Sequence, residues 1–591
     1  MKHGIRSWAA GVRLALSSLV LLGASPVPVR AGIELPAVLG SHMVLQRGVP
    51  VPIWGKAAPG EKVVVSFRDQ RKEVEADASG QWMVKLDPLD VGDPGTLTVA
   101  GANAGTITLT DVLVGEVWVG SGQSNMDTPV SDYATDTLAI RPDAEAGKPA
   151  DNPNDAASKY HVRDEMLVQL AQGAYPNLRL VSCRDALGWR EANPETIRRF
   201  SALLFVYGQQ LQKELGVPVG LMMGALGATS SEQWIGRSAY EGDAACREAL
   251  AKFSATYSPE AEQKKYDAAL AKWERIATSL AAANPSASAA VPPPPSPDGK
   301  PAPERPPWAD LPPGVLPPKP LGPFHPGDVT RDLKLPNKNI GDLYELYIRP
   351  FIPYAIRGVF WDQGEGGSGI CGLDQYPLMG ALIRGWRNDW GQGEFPFVYV
   401  QKPSGGGRAW DASDPVTRFG GTFALAPLPP RVPDDGAERS DYLRIAGYPR
   451  TWMVGTSDLG AGTHPINKYG YGLRAARVAL GAVYGRPGEY SGPVFASLKV
   501  EDGKVRVAFT HLGKGLAVPP GEPLQGFAVA GDDKVFSWAE AAIEGDTVVL
   551  SSAKVPRPAF VRYAWSRTHP WANLFNADGL PALAFRTDGE K

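Results

Sequence analysis

The sequence predicts an α/β protein: a parallel sheet with helices on both faces, flanked by a β domain at either end. Three observations carry this. Short Val-rich runs with apolar–polar alternation, cut by turn signals, fill residues 35–114. From about residue 111 strand-like runs alternate with helical ones, the pattern of a parallel sheet covered on both sides. After about residue 492 strand alternation returns without helices.

The N-terminus reads as an address. Lys2, His3, Arg6 and Arg13 precede an apolar run over 14–22, and Val29 and Ala31 occupy the −3 and −1 positions of a small-residue cleavage site. Residues 1–31 are therefore expected to be a secretory signal peptide. The run is shorter than the ~20 residues that span a membrane. The expected product is periplasmic or secreted, with no membrane anchor after cleavage.

Residues 32–110 are expected to form an N-terminal β-sandwich with strands at 51–54, 62–67, 81–86 and 96–99. Pro59-Gly60 and Ser79-Gly80 supply turns. Residues 111–490 carry the α/β body, with strands at 116–119, 178–181, 219–223, 356–361, 397–401 and 452–455. A helix over 200–215 is ended by Gly216. Two insertions interrupt it. Within 240–284, Ser258-Pro259 reads as a helix start, and Tyr266, Leu270, Trp273, Ile276 and Leu280 follow at helical spacing. Over 285–326 prolines fill 17 of 42 positions, which predicts an extended linker without a core. Residues 491–591 are expected to form a second β domain with strands at 504–510, 525–529, 535–538 and 547–550.

Composition removes several function classes. Lys and Arg number 60 against 63 Asp and Glu, a net charge of −3, so no basic face is expected for nucleic acid. Cys183, Cys246 and Cys371 are too few for a disulfide framework. No CxxC or HExxH occurs, and neither a metal nor an organic cofactor is expected.

Open α/β sheets bind ligands beyond the C-terminal ends of their strands. There the run Gly115-Glu116-Val117-Trp118-Val119-Gly120-Ser121-Gly122-Gln123-Ser124-Asn125-Met126 places Ser124 in a tight glycine turn at a helix start. Backbone N–H groups at such a start can hold an oxyanion. This is not the G-x-S-x-G elbow, because Met126 stands where the last Gly would be. A serine needs a base to act as a nucleophile. Among seven histidines, His3 falls in the signal, His42 in the head, His325 in the linker, and His511 and His569 in the tail. His161 lies in a polar insertion. His464, in Thr463-His464-Pro465 after the last body strand, is left at the same sheet edge.

Gly-Glu-Val-Trp followed by Gly-Gln-Ser-Asn-Met resembles the first block of the sialate O-acetylesterase family, carbohydrate acetylesterases of the SGNH hydrolase superfamily. The likeness continues in His42–Arg47, Pro218-Val219-Gly220-Leu221, Pro353–Gly358, Gln363-Gly364-Glu365, Leu382-Ile383-Arg384, Trp386-Arg387, Phe395-Pro396-Phe397, Val561–Trp565 and Gly579–Ala582. The resemblance implies an SGNH-type, flavodoxin-like sheet and hydrolysis of acetyl esters on carbohydrates. It implies Ser124 as nucleophile and His464 as general base. The N–H groups of Ser124 and Gly227 and the Gln363 amide would be oxyanion donors, with Glu365 orienting the imidazole.

Three departures are visible. Gly462 stands two before the histidine, where the family commonly has an acid. Gly366-Gly367 follows Gln-Gly-Glu, and Leu226-Gly227-Ala228-Thr229 replaces Trp-Gly-Gly-Thr. The third group is therefore open between Glu365, Asp458 and a Ser–His pair with none. Three functional readings stand: an esterase for O-acetylated sialic acids, an acetylxylan or other polysaccharide acetylesterase, and a catalytically weakened carbohydrate-binding protein.

Overall fold

The computed structural model describes residues 32–133, 164–183, 188–227, 229–256, parts of 258–275, 340–364, 372–420, 422–460, 462 and 464–589. The predicted signal peptide, the proline-rich linker, His161, Cys371 and Glu365 lie outside the described residues.

A mixed sheet of eleven strands runs through the molecule. Seven strands form its central path, labelled in chain order: β1 Gly105–Gly122, β2 Tyr175–Ser182, β3 Arg190–Ala192, β4 Val219–Ala225, β5 Gly358–Asp362, β6 Phe397–Val400 and β7 Thr451–Val454. Their order across the sheet is β7-β6-β5-β1-β4-β2-β3. All neighbours are parallel except β3, a short edge strand antiparallel to β2. Strands β4, β5 and β6 are fully buried and apolar but for Asp362 at the end of β5, as expected for strands covered on both faces. Helix α2, Ala202–Leu215, and helix α4, Lys468–Ala482, pack together on one face and bury Leu204, Tyr207, Ala475 and Ala479. Helix α3, Gln375–Trp390, covers the other face through Leu382 and Trp386. Gly216 ends α2 in the left-handed conformation, φ +67°, as the sequence predicts.

The strand β1 has two characters. Its first half alternates and pairs antiparallel with Gly95–Gly101 of the head. Its second half is buried throughout and pairs in parallel with Val44–Gln46, then with β4 and β5. The change falls at Asp111, at φ +54°, beside a register shift in the ladder. The predicted boundary at 110/111 is thus a bend inside one strand. One apolar cluster runs from Val51, Val65 and Leu97 of the head to Trp361 and Trp386 of the body. Downstream, Val494–Glu501, Lys504–Thr510, Thr547–Ser551 and Glu540–Glu544 form a separate antiparallel sheet over its own core.

Glu116 holds head and body together. Its carboxylate is fully buried in β1. It accepts from Arg47 Nε at 2.5 Å, Gln46 Nε2 at 3.1 Å, and Arg357 Nε and Nη2 at 2.6 and 3.2 Å. Burial pushes this carboxyl up, but the Arg357 and Arg47 guanidiniums and the Gln46 amide push it further down, and the net is a lowered pKa. A folded-state pKa below the unfolded one contributes stability above the unfolded value, lost as pH falls through the folded value. Glu116→Ala strands two arginines and is expected to cost about 3–5 kcal/mol at neutral pH. Urea unfolding would measure this, and the gap from wild type should narrow as acid protonates Glu116. An equal gap at both pH values would show that lost packing, not charge, sets the cost.

Candidate active site

The turn that carries Ser124 is built by the end of β1. Gly122 sits at φ +131°, and a Cβ there would lie 2.0 Å from the Asp362 carbonyl oxygen, so only glycine fits. Gln123 N–H donates to that same carbonyl at 3.0 Å, tying the turn to the end of β5. Ser124 then opens the short helix α1, Ser124–Asp127. The chain leaves β1 for β2 and β4 on one side and later returns to β5 on the other. Ser124 therefore stands where the sheet order reverses, the place where open α/β sheets form a ligand crevice.

His464 comes to the same point from the loop between β7 and α4. Its Nε2 lies 2.7 Å from Ser124 Oγ, joining residues 340 apart in sequence. The loop is tied down at several places. Asn467 caps α4 by accepting from Gly470 N–H at 2.9 Å, and its amide donates to Val416 O at 2.8 Å. Arg474 reaches back from α4 to Asp458, with Nη1 and Nη2 at 3.2 and 2.8 Å from the two carboxylate oxygens, and also to Gly455 O. Lys468 Nζ donates to Pro465 O at 2.7 Å and to Asn125 Oδ1 at 2.6 Å. The other described histidines lie elsewhere. His42 bonds Asp111, His511 bonds Glu489, and His569 is buried against Gly407.

The remaining site residues are placed as follows. Gly227 N–H donates to Asp127 Oδ2 at 3.0 Å, so its amide is engaged. Gln363, fully buried at the end of β5, donates from Nε2 to Thr229 O at 2.6 Å, which leaves the second N–H of that amide nitrogen as its remaining donor. Its backbone carbonyl accepts from Tyr442 Oη at 2.8 Å. Asp458 is fully buried, and both its oxygens are held by Arg474. Two participants escape a reading of the sequence. Asp127 follows the Gly-Gln-Ser-Asn-Met motif without belonging to it. Lys468 reads as an ordinary surface lysine, and its one signal is a position one helical turn beyond His464.

Among the described residues, one group could gather around a cation: His42, Asp111 and Glu191. Arg179 already donates to Asp111 and lies 3.6 Å from Glu191, so a guanidinium supplies the positive charge there. No described helix is long and apolar enough to cross a membrane.

The fold and the Ser–His geometry lead to known proteins. The chain is similar to carbohydrate esterases. A solved carbohydrate acetylesterase from Xanthomonas citri superposes with a TM-score of 0.63 at 26% identity, covering 94% of this chain and all of that one. The curated similarities are more particular, and all point to the sialate O-acetylesterase family. The protein of that name from Pongo abelii is 28% identical over 219 residues, 34% of this chain and 39% of that protein. That from Mus musculus is 28% identical over 239 residues, covering 37% and 41%. That from Rattus norvegicus is 25% identical over 397 residues, covering 63% and 60%. The matched stretch is thus less than two thirds of each curated relative. No protein-family model matches the chain.

Proposed function

We propose that the chain is a serine esterase that removes O-acetyl groups from carbohydrates by an acyl-enzyme route. The observation that supports this most is the 2.7 Å contact between Ser124 Oγ and His464 Nε2 at the crevice of the sheet. His464 takes the Ser124 proton as Oγ attacks the acetyl carbonyl carbon. The tetrahedral oxyanion is held by the Ser124 N–H and the second N–H of the Gln363 amide. Gly227 joins them once Asp127 releases its amide. His464 then gives the proton to the departing sugar oxygen, leaving acetyl-Ser124. Water, deprotonated by His464, attacks that ester and frees acetate and Ser124. Glu365 orients the imidazole and stabilises its charged form in this reading. The leader-like residues 1–31 support action outside the cytoplasm.

The substrate is proposed to be an O-acetylated sialic acid, with acetylated xylan or another polysaccharide as the competing choice. Acetate release from a panel of acetylated sialic acids, acetylxylan and other acetylated glycans tests this. Release from sialic acids alone supports the first choice, and release from xylan alone replaces it. The engaged amide of Gly227 favours a second reading, a carbohydrate-binding protein with weakened catalysis. A wild type that binds the glycans but releases no acetate, and does not hydrolyse p-nitrophenyl acetate, would establish that reading.

A further inference from the structure

One cation touches the neighbours of both reacting residues. Lys468 is 1% exposed, yet its ammonium ends beneath the site. It donates to the side chain of Asn125, which directly follows Ser124, and to the carbonyl of Pro465, which directly follows His464. The bonds are 2.6 and 2.7 Å, short as charge-assisted bonds are. The rings of Tyr133 and Tyr471 flank the ammonium at 5.8 and 5.7 Å. Asn125 is itself buried. Burial of a charge is costly unless its donors are well placed, so this lysine is held in one geometry, and its two acceptors are held with it.

We infer that Lys468 is a positioning residue: its ammonium clamps the nucleophile turn to the base loop and so sets the distance between Ser124 and His464. The inference rests on the serine esterase reading above. Lys468 acts in this inference through its bonds to Asn125 and Pro465, the chain neighbours of the two reacting residues. It acts because Ser124 and His464 arrive on separate segments, α1 after β1 and the loop after β7, which nothing in their sequence separation keeps in register. A displacement of about 1 Å between reacting groups is enough to cost on the order of 10²-fold in rate.

The test compares wild type, Lys468→Met, Asn125→Ala and the double variant. Met keeps much of the length and apolar stem of lysine and removes the ammonium. A fluorophosphonate that labels Ser124 counts active sites, and turnover of p-nitrophenyl acetate is expressed per titrated site. Lys468→Met is expected to lower kcat by about 10²-fold with KM changed by less than about threefold, and to slow labelling of Ser124 in parallel. Asn125→Ala is expected to lower kcat about tenfold alone, and less than about threefold when added to Lys468→Met, because the two act through one contact. A purely structural lysine would instead lower thermal stability and the fraction of titratable sites, with kcat per site unchanged. That result would overturn the inference.

Should Lys468→Met not accumulate as folded protein, Asn125→Ala decides, since it cuts one end of the clamp only. An unchanged kcat there overturns the inference, and a loss at constant KM supports it. A wild type that neither labels at Ser124 nor hydrolyses p-nitrophenyl acetate overturns the esterase reading and this inference together. An active wild type beside an equally active Lys468→Met overturns this inference alone.

Discussion

Ser124→Ala is expected to reduce ester hydrolysis by about four to six orders of magnitude while the protein stays folded. In the proposed mechanism the hydroxyl oxygen forms the acyl bond, so its removal takes away the reacting atom itself. The fold is spared because Ser124 is only half-buried and sits at the start of a four-residue helix, where alanine is tolerated. His464→Ala should cost nearly as much, and the double variant little more than either alone, since the proposed nucleophile and base would act as one unit. Initial rates on p-nitrophenyl acetate, with circular dichroism on each variant, check this. Retention of most turnover by either folded variant would remove the pair from the mechanism.

On the proposed orienting role, Glu365→Gln is expected to lower turnover by about 10⁴-fold, because an amide in place of the carboxylate would favour the wrong imidazole tautomer and could not stabilise the imidazolium. The backbone leading to it is well pinned. Gln363 O accepts from Tyr442 Oη, and a Cβ on Gly364 would lie 1.7 Å from that same oxygen. Asp458 is the control. Both its oxygens are taken by Arg474, so Asp458→Asn breaks a buried bidentate pair. The expected result is a loss of about 3–5 kcal/mol of stability, with turnover per folded site largely kept. The reverse ranking would make Asp458 the orienting acid. Two mild effects beside a severe Ser124→Ala would leave a Ser–His pair acting without a third residue.

The contact between Ser124 and His464 was within reach of the sequence for a physical reason. Glycine turns at strand ends leave a local signature, and seven histidines are few enough to sort by the segment that holds them. The inner strands were legible because burial on both faces demands unbroken apolar runs. The buried ions were not. Glu116 meets Arg47 and Arg357 from 69 and 241 residues away, and Lys468 meets Asn125 across 343. No periodicity encodes such distances, and a charged residue in a strand or at a helix start reads as solvent-facing. The edge strand Arg190–Ala192 was also missed, being three residues long and polar. Asp127 on Gly227 N–H joins the last residue of α1 to a loop 100 residues away, a pairing that no local pattern encodes.

The strand β1 also bears on how this protein can be taken apart. Eighteen residues long, it begins among the head's hairpins and ends two residues before Ser124. A cassette that exchanged the head at the bend would cut the strand itself, part Val44–Gln46 from its parallel partner Leu113–Gly115 and divide the apolar cluster that head and body share. The portable unit is therefore head and body together. The C-terminal sheet packs on a separate core and adds no strand to the central ladder, so an exchange there cuts none of the ladder's strand pairs.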